Sequence, residues 1–128
     1  MTVLVAYNES PQGEAAMRAA VTEATRRKQE LAVLVLTPQA AGATVPAALA
    51  HLLDAVPGSV TVAPIAFRAE HADVADAIVD QAEAVAADLV VIGSRKHSSV
   101  GKFLVGATTQ RVLLDSPAPV LVVKAGYA

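Results

Sequence analysis

The residues best suited to chemistry lie at positions 93–102, which read GSRKHSSVGK and follow an apolar run. This stretch carries the cations Arg95, Lys96 and Lys102, in a chain whose formal net charge is −2. A predicted helix comes next, and the backbone N–H groups at a helix N-terminus bind phosphate, to which cations add charge-assisted hydrogen bonds. The stretch therefore predicts a site for an anionic ligand, with phosphate as the leading candidate.

Two familiar phosphate-binding motifs do not account for this stretch. Gly101 and Lys102 are followed by Phe103, where a Walker A loop has Ser or Thr, and the spacing G-x-G-x-x-G does not occur there. A polar loop is also an ordinary solvated feature of protein surfaces. That interpretation stays open beside the anion site.

The histidines give little support to catalysis or metal binding. His51 and Asp54 have the spacing of a ligand pair but offer only two ligands, and His71 and Asp73 suit the start of a helix. His97 lies in the basic stretch and would contact an anion when protonated, with simple exposure as the alternative. Neither a serine triad nor a base for ATP hydrolysis is marked. We predict no metal site, no catalytic residue and at most slow ATP hydrolysis.

Composition excludes several classes of protein. The 128 residues contain no cysteine, which excludes a disulfide scaffold, a zinc finger and a thiol nucleophile. The net charge of −2 and the aromatic content of 3% provide neither a basic surface nor a stacking platform for nucleic acid. No apolar run approaches the roughly 20 residues of a membrane span, and no signal peptide opens the chain. We expect a cytoplasmic protein without nucleic-acid or membrane partners.

The elements that must position the basic stretch alternate between strands and helices. Continuous apolar runs predict buried strands, and Ser10 followed by Pro11 predicts a helix start. Pro64 cannot donate to a strand ladder, which assigns the third strand to a sheet edge. The predicted strands are 3–7, 31–36, 60–67, 89–92 and 119–124, and the predicted helices are 11–28, 47–55, 72–86 and 106–114.

This alternation predicts an α/β fold with a parallel sheet, in one domain over residues 1–128. Ligands of such sheets bind beyond the carboxyl ends of the strands, where the strand order reverses. The loops 7–11, 37–42 and 93–106 follow predicted strands and form the expected site.

The chain resembles the universal stress protein family in its opening residues 3–11, VLVAYNESP, and in its closing residues 90–124, VVIGSRKHSSVGKFLVGATTQRVLLDSPAPVLVVK. The resemblance implies a Rossmann-like three-layer α/β/α fold whose five-stranded parallel sheet has the order 3-2-1-4-5. It also implies a homodimer joined through the last strand, whose apolar edge invites pairing with another chain. The residues of that edge are Val120, Leu121, Val122 and Val123.

Nucleotide-binding members of the family carry Gly, two residues, Gly, nine residues, and then Gly followed by Ser or Thr. On this chain the pattern falls on Gly93, Lys96, Gly106 and Ala107, and an acidic residue typical after the first strand falls on Asn8. Lys96, Ala107 and Asn8 depart from the pattern. Each keeps a group that can contact a nucleotide: an ammonium, a backbone N–H and an amide oxygen.

The resemblance favours a stress-response regulator that binds ATP or AMP, with magnesium when the ligand is ATP. It places adenine near Thr37, ribose near Asn8 and the phosphates on 93–96 and 106–108. The predicted site consists of Ala6, Asn8, Thr37, Gly93, Ser94, Arg95, Lys96, Gly106, Ala107 and Thr108. Two alternatives remain, a member that does not bind ATP and acts through homodimer and protein contacts, and a hydrolase of adenine nucleotides.

Overall fold

The computed structural model describes residues 1–37, 44–94 and 106–125, and it confirms the alternation of strands and helices there. In chain order the elements are β1 (Thr2–Tyr7), α1 (Pro11–Arg27), β2 (Glu30–Val35), α2 (Ala47–Asp54), β3 (Ala66–Phe67), α3 (Val74–Ala84), β4 (Ala87–Ser94), α4 (Ala107–Asp115) and β5 (Val120–Lys124). Neighbouring strands pair in parallel, in the sheet order β3-β2-β1-β4-β5. The predicted fold class and strand order are therefore confirmed.

Helix α1 begins as the sequence predicts. Ser10 has an extended backbone, and its hydroxyl accepts a hydrogen bond of 3.0 Å from the backbone N–H of Gly13, while Pro11 opens the helix. The helix ends at Arg27, and Lys28 follows in the left-handed conformation with φ 56°. Local chemistry thus fixes both ends of α1.

The central strands are buried on both faces of the sheet. Side chains of β1 alternate, so that Val3 and Val5 pack on the side of α1 and α2, whereas Leu4 and Ala6 pack on the side of α3 and α4. The buried alanines of α1 are Ala16, Ala20 and Ala24. Small helix side chains against Val and Leu strands account for a composition rich in apolar residues and poor in aromatic ones.

The third strand is much shorter than predicted. Ala66–Phe67 pairs with β2, and Val62 forms an isolated bridge with Leu31. Pro64 lies between the two pairings, and its missing N–H explains the interruption. The expectation of a strand throughout 60–67 is wrong, whereas its position at the sheet edge is confirmed.

The third helix is also shorter than the predicted 72–86. It begins at Val74 because Asp73 is its N-cap, whose carboxylate accepts a hydrogen bond of 3.1 Å from the backbone N–H of Asp76. Within the described ranges, none of the helices combines the length and the apolar character needed to cross a bilayer.

Candidate functional site

The carboxyl ends of β1 and β4 border a cleft of ≈ 290 Å³. In the sheet, β1 lies between β2 and β4. The chain leaves β1 toward β2 and leaves β4 toward β5 on the opposite side, so the two loops diverge and open a cleft between them. The volume lies near the lower end of the range for small-molecule sites. The lining residues are Ala6, Asn8, Gln12, Gly13, Leu36, Val74, Ile92, Gly93, Ser94, Gly106, Thr108 and Thr109.

Strand periodicity selects the side chains of β1 and β4 that face the cleft. Ala6 and Asn8 are two residues apart, as are Ile92 and Ser94, and all four line the cleft. Tyr7 points the other way into the core beside α1, where burial is the main reason that its pKa is raised. The phenol therefore stays neutral and lies outside the cleft.

Asn8 is held by the loop that follows β1. Its Oδ1 accepts a hydrogen bond from the Ser10 hydroxyl, and its backbone carbonyl accepts one of 2.9 Å from the Ser10 N–H. The Asn8 Oδ1 atom, which the sequence predicts to contact the ribose, therefore already uses one lone pair within the protein. The Nδ2 group carries the donors that Asn8 can offer to a ligand.

Two glycines let the first turn of α1 lie directly against the strand ends. A Cβ atom on Gly13 would be 2.9 Å from the carbonyl carbon of Asn8 and closer still to its oxygen. A Cβ atom on Gly93 would be 2.6 Å from the carbonyl carbon of Gln12 and closer still to its oxygen. Because these neighbours are backbone atoms, only glycine fits at either position. Gly93 thus has a packing role that does not depend on a ligand.

Helix α4 presents its N-terminus to the same cleft, and no side chain in the described part of the chain caps it. Its N-cap is Gly106, where an added Cβ atom would meet no atom of residues 1–37, 44–94 or 106–125 within 4 Å. The backbone N–H of Gln110 donates to the Gly106 carbonyl at 3.0 Å. The N–H groups of the residues between them have no acceptor within the helix, and together with the helix dipole they favour an anion. Thr108 and Thr109, on this first turn, both line the cleft.

An ion-pair cluster joins the start of α3 to α4 beside the cleft. Arg111 donates to Asp73 at 2.9 Å and also to Asp76. The hydrogen bond from the backbone N–H of Asp76 is the main cause that lowers the pKa of Asp73, and Arg111 adds to it. The pairing with Asp76 raises the pKa of Arg111. Since these side chains are exposed, the cluster orients the helices more than it stabilises the fold.

Several predicted residues line this cleft and others do not. Those that line it are Ala6, Asn8, Gly93, Ser94, Gly106 and Thr108. Ala107 lies on the first turn of α4 without lining the cleft, and Thr37 is exposed directly after the lining residue Leu36. Arg95, Lys96 and His97 lie outside the described residues. Their contact with a nucleotide stays a prediction.

Sequence reasoning missed half of the lining. The missed residues are Gln12, Gly13, Leu36, Val74, Ile92 and Thr109. Some of them could have been found from the sequence. Ile92 lies two residues before the predicted Ser94 on the same face of the strand, and Leu36 is the neighbour of the predicted Thr37. Thr109 is likewise the neighbour of the predicted residue Thr108, whereas the contributions of α1 and α3 carry no such signal, because the tertiary packing of the helix starts brings them to the cleft.

The chemistry of the described lining is that of a binding site. None of these residues has an ionisable side chain, and no group of three or more His, Cys, Asp or Glu in the described ranges is placed to hold a metal ion. Ala6, Leu36, Val74 and Ile92 provide an apolar wall, while amide, hydroxyl and backbone groups provide hydrogen bonds. The arrangement suits a ligand with one apolar part and one anionic part.

A sequence profile described as the universal stress protein family matches residues 1–124. The chain is similar to a universal stress protein of Mycolicibacterium smegmatis, with 34% identity over 95% of this chain and 96% of that protein. It is also similar to the structure of a universal stress protein from Archaeoglobus fulgidus, with a TM-score of 0.74 and 25% identity over 97% of this chain and 98% of that one. A further similar structure is a universal stress protein in complex with cAMP, with a TM-score of 0.74 and 26% identity over 98% of both chains.

Proposed function

The chain belongs to the universal stress protein family, and we propose that it is a regulator that binds an adenine nucleotide in the cleft between β1 and β4. The observation that carries this proposal is the N-terminus of α4, which lies at the cleft and whose first backbone N–H groups have no side-chain cap among the described residues. The similar protein solved with cAMP supports an adenine nucleotide as the ligand. Cell fractionation would test the cytoplasmic location that we propose with this function.

The parts of the nucleotide are assigned by the chemistry of each wall. The base lies against the apolar residues at the ends of β1 and β2, near Leu36 and Thr37. The ribose accepts a hydrogen bond from Nδ2 of Asn8, and the phosphate accepts from the first turn of α4.

Magnesium does not suit the described lining. This cation prefers carboxylate ligands, and no lining residue in the described ranges carries one. We therefore expect the affinity for AMP to be the same with and without magnesium. ATP would bring magnesium through its own phosphates.

Calorimetry with ATP, ADP and AMP, each with and without magnesium, tests the proposal. We expect binding of at least one nucleotide, together with a rise in melting temperature because the ligand binds the folded state. If the protein gives no binding heat and no thermal shift at millimolar nucleotide, nucleotide binding is overturned. The family member that acts through protein contacts would then be the better description.

Substitution of Gly106 by Asp and by Asn tests the phosphate position. Both side chains are good N-caps and the space beside Gly106 is open, so both variants should fold with similar stability. Only Asp adds a negative charge where the phosphate lies, and we expect AMP to bind at least about tenfold more weakly to Gly106→Asp than to Gly106→Asn. Equal affinities would show that the phosphate lies elsewhere.

We further propose that two copies of the chain pair through β5, which forms one edge of the sheet. The N–H of Val90 donates to the Pro119 carbonyl, and the N–H of Ala125 donates to the Ser94 carbonyl. In a parallel ladder, every second residue of a strand directs its N–H and carbonyl groups to a given neighbour. The N–H and carbonyl groups of Val122 therefore point away from β4 toward the exposed edge. They are therefore placed to pair with another strand.

A proline at position 122 tests this pairing. Val122→Pro removes a donor from the outer edge and leaves the bonds to β4 intact, so we expect a monomer by light scattering. Val122→Ala keeps the donor and should remain a dimer. A monomeric wild-type protein, or a Val122→Pro variant that still dimerises, would contradict pairing through this edge.

A further inference from the structure

Arg68 bridges two walls of the cleft without lining it. Its Nε donates to the Leu36 carbonyl at 2.6 Å, and its Nη1 donates to the Ala72 carbonyl at 2.6 Å. Leu36 lines the cleft, and Ala72 is two residues before Val74, which also lines it. We infer that Arg68 is a positioning residue that holds the base-side wall of the cleft, a role that rests on the proposed nucleotide site.

The position of Arg68 is itself fixed by the sheet. Its backbone N–H donates to the Val35 carbonyl at 2.9 Å, which continues the pairing of β2 with β3 by one residue. The N–H of Leu36 donates to the Tyr7 carbonyl at 2.8 Å and so continues the pairing of β1 with β2. The backbone of Arg68 is therefore held by the sheet, and its guanidinium extends from there to the residues just before α3.

The chemistry of the bridge is specific to arginine. Its planar guanidinium presents several N–H groups in fixed directions, so that one side chain can donate to two carbonyl groups at once. A lysine ammonium carries the same charge at a single point and cannot reproduce this geometry. Both bonds are charge-assisted, and the half-buried position of Arg68 strengthens them.

The bridge also determines what the Leu36 carbonyl can do for a base. Because Arg68 already donates to this oxygen, a base amino group must share it with the guanidinium. Recognition on this wall therefore depends mainly on the apolar surface of Leu36 and Val74, whose separation the bridge sets. Loss of the bridge is expected to weaken contact with the base and to leave the phosphate position on α4 unchanged.

The test compares Arg68→Ala and Arg68→Lys with Arg18→Ala, in which an exposed arginine paired with Glu14 on α1 is removed. Calorimetry would measure AMP, adenosine and pyrophosphate, and thermal melting would show that each variant is folded. We expect both Arg68 variants to bind AMP and adenosine about tenfold more weakly, because two hydrogen bonds that hold the base-side wall are lost. Pyrophosphate binding should not change, and Arg18→Ala should resemble the wild type.

Three results would overturn the role of Arg68. They are AMP binding by Arg68→Ala within twofold of the wild type, wild-type affinity in Arg68→Lys, and an equal loss for pyrophosphate and adenosine. Wild-type affinity in Arg68→Lys would indicate a simple charge effect, whereas an equal loss for pyrophosphate and for the uncharged adenosine would indicate a general disturbance of the cleft. A wild-type protein that binds no nucleotide overturns the proposed function instead, and this result is distinct from a wild type that binds and an Arg68→Ala variant that binds equally well.

Discussion

Helices α1 and α4 both point their N-termini into the same cleft, yet they use their backbone donors in opposite ways. At α1, Ser10 accepts from the N–H of Gly13 and donates to Asn8, so the donors and the loop satisfy one another. At α4, Gly106 supplies no side-chain acceptor, and no atom of the described residues fills the space beside it. The N-terminus of α1 is therefore occupied by contacts within the protein, whereas the N-terminus of α4 is where we propose that the ligand binds.

The glycines make the same contrast. Gly13 and Gly93 are required because backbone atoms of Asn8 and Gln12 occupy the space of a side chain. Gly106 has no such neighbour among the residues that the structure describes. A glycine near a phosphate-binding loop can therefore serve packing or access, and only the surrounding atoms tell which.

Alanine substitutions at these glycines should separate the two helix starts most clearly. Gly13→Ala and Gly93→Ala force a methyl group against backbone atoms, and we expect losses toward the upper end of about 1–3 kcal/mol in the free energy of unfolding. Gly106→Ala should lose less than about 1 kcal/mol, since it affects only the cap preference. Urea unfolding measures all three variants. A Gly106→Ala loss as large as that of Gly13→Ala would remove the distinction.

Removal of the cap on α1 should have a smaller effect. Ser10→Ala leaves the N–H of Gly13 without its acceptor and Asn8 without its donor, at a cost of about 1 kcal/mol in stability. Ser10→Asn restores an acceptor and is expected to recover part of this loss. If the urea midpoint of Ser10→Ala equals that of the wild type, the Ser10 cap does not stabilise the start of α1.

The charged cap of α3 should add a pH dependence that the neutral cap of α1 lacks. The fold lowers the pKa of Asp73, mainly through the N–H of Asp76, so the carboxylate contributes stability above its ordinary pKa of about 4, and the contribution is lost as the pH falls through the lowered value. Asp73→Asn keeps a capping oxygen and loses the charge. We expect a small gap in stability between this variant and the wild type at pH 7 that closes in acid.

Urea unfolding at several pH values measures this gap, with Ser10→Ala as the matched control. The cost of Ser10→Ala should stay constant over the same interval because Ser10 does not titrate there. A gap for Asp73→Asn that is equally constant would show that the charge of Asp73 does not stabilise the start of α3.

The elements of the fold could be predicted well where local chemistry decides them. The apolar runs of β1, β2 and β4 and the Ser10-Pro11 start of α1 gave correct elements, because burial and capping act on neighbouring residues. Prediction failed over 60–67, where β propensity favoured a strand and the missing N–H of Pro64 limited it to two residues. Pro64 is visible in the sequence, but how much of the run still pairs with β2 is decided only in three dimensions.

The site could be predicted only in part. Asn8, Gly93 and Gly106 follow or precede recognisable elements, so their place at the carboxyl edge followed from the alternation of strands and helices. Gln12 and Val74 entered the cleft because α1 and α3 begin at that edge, and Arg68 acts on it from a distance through two carbonyl groups. Contacts between residues far apart in the chain leave no period or motif to read.

The sequence by itself determined that the chain forms an α/β sheet with polar loops at one edge, because hydrophobic periodicity and capping are properties of consecutive residues. Only the tertiary structure decided which helix N-terminus is occupied by other parts of the protein and which is accessible. Ser10, Gly13 and Gly93 satisfy and fill the N-terminus of α1, whereas none of the described residues does so at Gly106 for α4. That difference depends on how closely separate elements approach, and the distance between elements is set by packing in three dimensions.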